Sequence, residues 1–274
     1  TGSLSFLSPP EIAGLHLAVD EINAAGGVLG NKVSLTISDS GDGDTLSIAD
    51  QSATKALASK ADVVIGAAAS GVTRSIINKI TGAKVVQISM SNTAPDLSTW
   101  DDGGYYFRTA PSDLFQGAIL GNQIIADGNR KVAVLYQDSA YGTGLDAALE
   151  KTIKAKGGTI TASVKFSTGA SDFSSLVSQA LAGGPTAIAL VSYDESLQAI
   201  PALQTAGFDG SKIYLVDGNH KNYSTNAFAA YLNGAKATEP TAGENKAFAA
   251  RAAASYKKHY GKKLTDFTYS TQAY

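Results

Sequence analysis

Cysteine is absent from the 274 residues, and methionine and tryptophan occur once each. No disulfide framework, thiolate nucleophile or thiolate metal site can therefore be built. Charge of one sign is also scarce. Lysine plus arginine number 22 against 24 acidic residues, a net charge of −2, which excludes the broad basic face of a nucleic-acid binder and a polybasic patch for anionic lipid. No apolar run approaches the roughly 20 residues needed to span a bilayer, and no leader segment is visible. Hydrophobic residues make up 44% and charged residues 17%, ordinary for a folded chain. The length predicts two domains of about 100–150 residues each.

Short β-branched runs alternate with longer amphipathic stretches. Helices are predicted over Glu11 to Ala24 (stopped by Gly26 and Gly27), Ser47 to Ser59 and Ser70 to Thr81. Strands are predicted at Val33 to Ser38, Asp62 to Gly66 and Lys84 to Ile88. The pattern then restarts, with strands at Val132 to Tyr136, Ile160 to Phe166, Ala187 to Ser192 and Ile213 to Val216. The helices between them are Gly144 to Lys156, Ser171 to Ala182 and Ser196 to Ala206, and another follows at Ala247 to Tyr260. Two successive βαβα runs indicate two α/β lobes with parallel sheets. A first seam is expected near Arg108 to Asp113 and a second crossing in "LNGAKATEPTAGE". The predicted division is residues 1–111 plus 241–274 against 112–240. The chain starts on a loop type that should follow a strand and ends in "YSTQAY", which should be mid-helix, so the first lobe is expected to be incomplete at both termini.

In open parallel sheets, ligands sit beyond the carboxyl ends of strands. The loops there are Ala67 to Thr73, Ser89 to Pro95, Asp138 to Gly144, Tyr193 to Glu195 and Asp217 to Lys221, rich in hydroxyls, carboxylates and tyrosines. An α-amino acid needs N–H and hydroxyl donors for its carboxylate and acceptor oxygens for its ammonium. Ser70 lies where backbone N–H groups and a helix dipole favour an anion. Thr93 can donate its hydroxyl and its backbone N–H, and Ser91 can offer its carbonyl to the ammonium. Each also has a plainer reading: Ser70 as a helix N-cap, Asp217 as a turn aspartate, Thr93 as a loop organiser and Tyr141 as packing.

The segments "AVDEINAAGGVLGNKV", "VVIGAAASGVT", "VVQISMSNTAPDL", "YYFRTAPSD", "VAVLYQDSAYGTG" and "YLVDG" together resemble the branched-chain amino acid binding proteins, the type I periplasmic receptors of ATP-driven (ABC) uptake systems. The resemblance runs in order over nearly the whole chain, except that the family's first strand has no counterpart. It implies two flavodoxin-like, Rossmann-like lobes joined by a hinge that close on an amino acid or analogue. Ser70, Ser91 and Thr93 match the positions that grip the zwitterion from the first lobe. Asp217 matches an acidic ammonium anchor in the second, one carbon shorter than the usual glutamate. Tyr141 matches a covering tyrosine, Tyr193 is a further candidate from the next strand end, and Phe6 and Leu7 align with the loop lining the side-chain pocket. The resemblance further implies a monomer with a membrane permease as partner, a periplasmic or extracytoplasmic location with a lipid anchor before processing as one variant, and no cofactor. A sensor ectodomain of the same fold and an α/β enzyme are the alternatives.

Other motifs are weaker. "GTGLDA" (Gly142 to Ala147) fits a dinucleotide fingerprint but lies several residues past its strand. "DSGDGD" (Asp39 to Asp44) lacks the closing glutamate of a calcium loop. His16, His220 and His259 have no ligand spacing, so no metal site is expected. Neither a G-x-S-x-G elbow nor a phosphate loop occurs, and no enzyme is expected.

Overall fold

The short β-branched runs become parallel strands in the computed structural model of the chain, which describes residues 1–240 and 245–274. In chain order the main elements are α1 (Ser8–Ala24), α2 (Leu46–Ala58), β1 (Val63–Ile65), α3 (Ser70–Gly82), β2 (Val86–Ser89), β3 (Tyr106–Arg108), α4 (Asp113–Ala126), β4 (Lys131–Gln137) and α5 (Ala140–Ala155). They continue with β5 (Thr159–Phe166), α6 (Ser174–Leu181), β6 (Ala187–Val191), α7 (Ser196–Thr205), β7 (Ile213–Leu215), β8 (Lys236–Ala237), α8 (Lys246–Tyr260) and α9 (Ser270–Ala273).

The chain divides into two compact units. The first comprises Thr1–Asn92, Asp101–Ala110 and Pro240–Tyr274, and the second Thr93–Trp100 and Pro111–Glu239. The expected second crossing falls partly on residues 241–244, outside the described residues; just before it, Lys236–Ala237 forms an edge strand.

In the first unit the described strands form the parallel sheet β1-β2-β3. One face is covered through Val64, which packs with Ala49 and Ala53 of α2 and Val72, Ile76 and Ile80 of α3. Pro9 and Pro10 open α1 at positions where the missing N–H costs nothing. That helix packs Ala13 and Leu17 against Phe248, Ala252 and Tyr256 of α8. The second unit is built on the parallel sheet β5-β4-β6-β7-β8. Strand β6, with all five residues buried, is the continuous apolar run expected of a strand covered on both faces. Ala133, Leu135, Ile188, Leu190, Ile213 and Leu215 meet Val177, Ile200 and Leu203 in one core.

Three expectations need correction. Val33 to Ser38 belongs to no strand among the described residues. Alternation supplies one apolar side (Leu35 packs on Leu15 and Met90), but a strand also needs a neighbour to bond. The Val33 N–H is accepted by Asn23 Oδ1 at 2.7 Å, and the Val33 carbonyl accepts from Asn23 Nδ2 at 2.9 Å. The helix predicted from Gly144 begins earlier, at Ala140, so "GTGLDA" lies inside α5 rather than in a phosphate-facing turn. Ser139 caps it by accepting from the Gly142 N–H at 3.1 Å. Gly142 is needed there because a Cβ would stand 2.0 Å from the Gln137 carbonyl oxygen. Finally, β3 and α4 form on either side of the expected seam, where no element was predicted.

Candidate functional site

In the second unit, β4, β6 and β7 bring Tyr141, Tyr193 and Asp217 together at their carboxyl ends. Tyr141 stands in the first turn of α5, Tyr193 two residues past β6, and Asp217 opens a short 3-10 turn after β7. All three are buried. The Tyr141 hydroxyl donates to Asp217 Oδ1 at 2.7 Å and accepts from the Gly218 N–H at 3.3 Å. The Tyr141 and Tyr193 rings stack at 5.1 Å with 19° between planes. Burial, then the negative charges of Asp217 and Asp113, hold the Tyr141 phenol well above its ordinary pKa, so it remains a neutral donor. Glu195 fixes the turn under Tyr193 by accepting from the Tyr193 N–H and from Gln137 Nε2, each at 2.9 Å. The result is a carboxylate, a phenol and a flat aromatic wall, suited to a cationic group on a small molecule.

Thr93 groups with this second unit, whereas the resemblance implied a grip from the first. Its carbonyl accepts from the Asp113 N–H at 2.8 Å. Thr93 is 3% exposed.

In the first unit, the loop after β1 and the loop after β2 are tied together. Asn92 Nδ2 donates to the Ala67 carbonyl at 3.0 Å and the Ala68 carbonyl at 2.7 Å. The Ser91 hydroxyl donates to the Ala68 carbonyl at 3.2 Å, and the Ser89 hydroxyl to the Ala67 carbonyl at 2.9 Å. These bonds fix the backbone leading into Ser70, the buried first residue of α3. Ala69, not Ser70, occupies the N-cap position, so the plain capping reading of Ser70 does not hold. Its place at the helix start, with backbone N–H groups around it, suits a carboxylate. Leu7 is 2% exposed and packs with Ala110 and Tyr269, with half-buried Phe6 against the same cluster. Core packing accounts for Leu7.

Glu11 and Asp113 are buried acids that were passed over in the sequence. Glu11 on α1 is 5% exposed, shares a hydrogen bond with Ser91 and is pushed up to about 7 by burial. Asp113 opens α4, is fully buried and adds its field to Tyr141. Both sit in the first turn of a helix, where an acid is usually explained by the helix dipole, and nothing in the sequence marks them as buried. Asn92, the tie between the two loops, gave no signal beyond its neighbours. Among the described residues no cluster of three or more His, Asp or Glu side chains can hold a metal ion, and no helix is long and apolar enough to cross a membrane.

Comparison with known proteins converges on one family. The family profile described as "Periplasmic binding protein" matches residues 1–274. The Leu/Ile/Val-binding protein homolog 8 of Brucella abortus (strain 2308) is 29% identical over 236 residues, covering 82% of this chain and 57% of the relative. This chain thus spans little more than half the length of that curated relative. The crystal structure of the leucine binding protein LivK from Thermotoga maritima MSB8 superposes with a TM-score of 0.83 at 25% identity, covering all of this chain and 77% of that one. The branched-chain amino acid transporter substrate binding protein LivJ from Streptococcus pneumoniae, solved in complex with isoleucine, has a TM-score of 0.79 at 27% identity, covering 100% and 78%.

Proposed function

Because this chain belongs to the periplasmic binding protein family, we propose that it is the ligand-capturing receptor of an ABC uptake system, taking up an amino acid or close analogue outside the cytoplasm. Such a receptor works by binding and release and has a membrane permease as its partner. The observation that carries the reading is the buried Asp217 carboxylate, held at 2.7 Å by the hydroxyl of Tyr141, whose ring stacks on Tyr193. A carboxylate withdrawn from water in this way is suited to one positive group on a ligand. In the first unit, Ser70 at the start of α3 and the tied loops after β1 and β2 suit the opposite charge.

A receptor of this kind binds its ligand more tightly in one conformation than in another. Ligand therefore favours a closed state by differential affinity, which is the physical content of hinge closure. The relatives named for leucine, isoleucine and valine make an aliphatic amino acid the first candidate. Titration calorimetry with a panel of amino acids tests the class directly. At least one member binds more tightly than millimolar; a panel with no such member overturns the reading.

A further inference from the structure

Glu195 belongs to the second unit and is 3% exposed. It holds the N-cap position of α7, where an acid ordinarily caps the helix or offsets its dipole. Its side chain makes no cap bond. The carboxylate is turned back toward the ends of the strands instead. Oε1 accepts from Gln137 Nε2 and from the Gly169 N–H, and Oε2 accepts from the Tyr193 N–H, each at 2.9 Å. Gln137 ends β4, Gly169 follows β5 and Tyr193 follows β6. These strands are neighbours in the order β5-β4-β6, so one side chain ties three adjacent carboxyl ends together.

The Tyr193 turn leads directly to the groups on which the proposed reading stands. The Tyr193 carbonyl accepts from the Ser196 N–H at 3.2 Å, and with Glu195 on its N–H both backbone polar groups are fixed. The Tyr193 ring stacks on Tyr141, which bonds Asp217. Gly218 shows how tightly this corner is packed. A Cβ there would stand 2.8 Å from Tyr193 Cδ1 and 2.9 Å from the Tyr141 hydroxyl oxygen. A displaced Tyr193 ring therefore moves Tyr141, because a close-packed interior transmits such shifts. All of these residues lie in the second unit.

We infer that Glu195 is a positioning residue for ligand recognition: its bond to the Tyr193 N–H seats the aromatic wall and, through Tyr141, orients the Asp217 carboxylate. The inference rests on the receptor reading proposed above. A carboxylate held by three neutral N–H groups serves orientation rather than an ion pair.

Glu195→Gln separates the three bonds. An amide has one acceptor oxygen and one donor nitrogen. With the oxygen kept toward Gln137 and Gly169, two bonds survive and the nitrogen faces the Tyr193 N–H. The Tyr193 bond is then the one lost.

The test is a double-mutant cycle read by calorimetry of the whole chain with L-leucine, L-isoleucine and L-valine. The four proteins are wild type, Glu195→Gln, Tyr193→Ala and the double variant. Glu195→Gln is expected to weaken binding about tenfold in the wild-type background and less than about twofold in the Tyr193→Ala background, as coupling through a shared group requires. A loss of equal size in both backgrounds, or no loss in wild type, overturns the inference. The ligand-free chain supplies a second readout, which decides if Tyr193→Ala binds too weakly to titrate. The near-ultraviolet circular dichroism of the stacked rings is the difference between wild type and Tyr193→Ala. Glu195→Gln is expected to lose most of that difference, and its full retention overturns the inference. Should Glu195→Gln not fold, Glu195→Asp, one methylene shorter, is carried through the same cycle with the same two outcomes. Failure of wild type to bind any of the three amino acids is a different result: it removes the receptor reading and the inference with it.

Discussion

Tyr141 and Asp217 bond each other at 2.7 Å, so the carboxylate is already oriented before a ligand is considered. Asp217→Ala is expected to weaken amino-acid binding by about 2–5 kcal/mol, because a ligand ammonium then loses its charged partner; calorimetry on the folded variant reads this. Asp217 and Tyr141 were singled out in the sequence by the family resemblance, on loops that follow apolar strand-like runs. Glu11 was not, since an acid in a helix's first turn reads as dipole compensation and only the fold reveals its burial. That burial has its own signature. A carboxyl raised from 4.5 to about 7 binds its proton more tightly in the folded chain than in the unfolded one. Its stabilising effect is complete below pH 4.5 and is lost as pH rises through 7, on the order of 3 kcal/mol over that range. Glu11→Gln should therefore stabilise the protein at pH 8 relative to wild type and change it little near pH 4, measured by urea unfolding at both values.

At the scale of elements, most strands were readable as short apolar runs between helices, while Val33 to Ser38 shows the limit. Alternation encodes a face, but it does not supply the neighbour that makes a ladder. Helix α4 was missed because small residues interrupt its apolar stripe. Gly117 and Gly121 are there so that α4 can lie close on α5. A Cβ at Gly117 would stand 2.7 Å from the Ala148 Cβ and 2.8 Å from the Leu149 nitrogen. Gly117→Val should cost about 1–3 kcal/mol through overpacking, seen as a lower urea midpoint with little change in slope. The α1–α8 contact carries a pH dependence opposite in sign to that of Glu11. His16 stacks on His259 with ring centroids 4.0 Å apart. Burial first, then the neighbouring His259, holds His16 below its ordinary value of 6.5. The folded chain therefore binds this proton less tightly than the unfolded chain. The contribution is present above pH 6.5 and is lost as pH falls below it, so His16→Gln should flatten the acid side of the stability profile.

For the whole molecule, the α/β class and the parallel sheets were legible because composition, periodicity and turn chemistry agreed across levels. Grouping Thr93–Trp100 with the second unit was not, because that segment's attachment depends on contacts such as the Thr93 carbonyl with the Asp113 N–H at 2.8 Å, which pattern does not encode. A ligand that binds only the folded chain raises its stability by mass action, about 2.7 kcal/mol at a hundredfold excess over Kd. Thermal unfolding with saturating L-leucine should show that rise in wild type and a much smaller one in Asp217→Ala. The most direct trial of dipolar recognition compares L-leucine with 4-methylpentanoate, which lacks the ammonium, and 3-methylbutylamine, which lacks the carboxylate, in one calorimetric series. The expected result is leucine binding tighter than millimolar with both truncated analogues at least about tenfold weaker, as the loss of a charged hydrogen-bonding partner requires. Either analogue binding as well as leucine would contradict recognition of both ends.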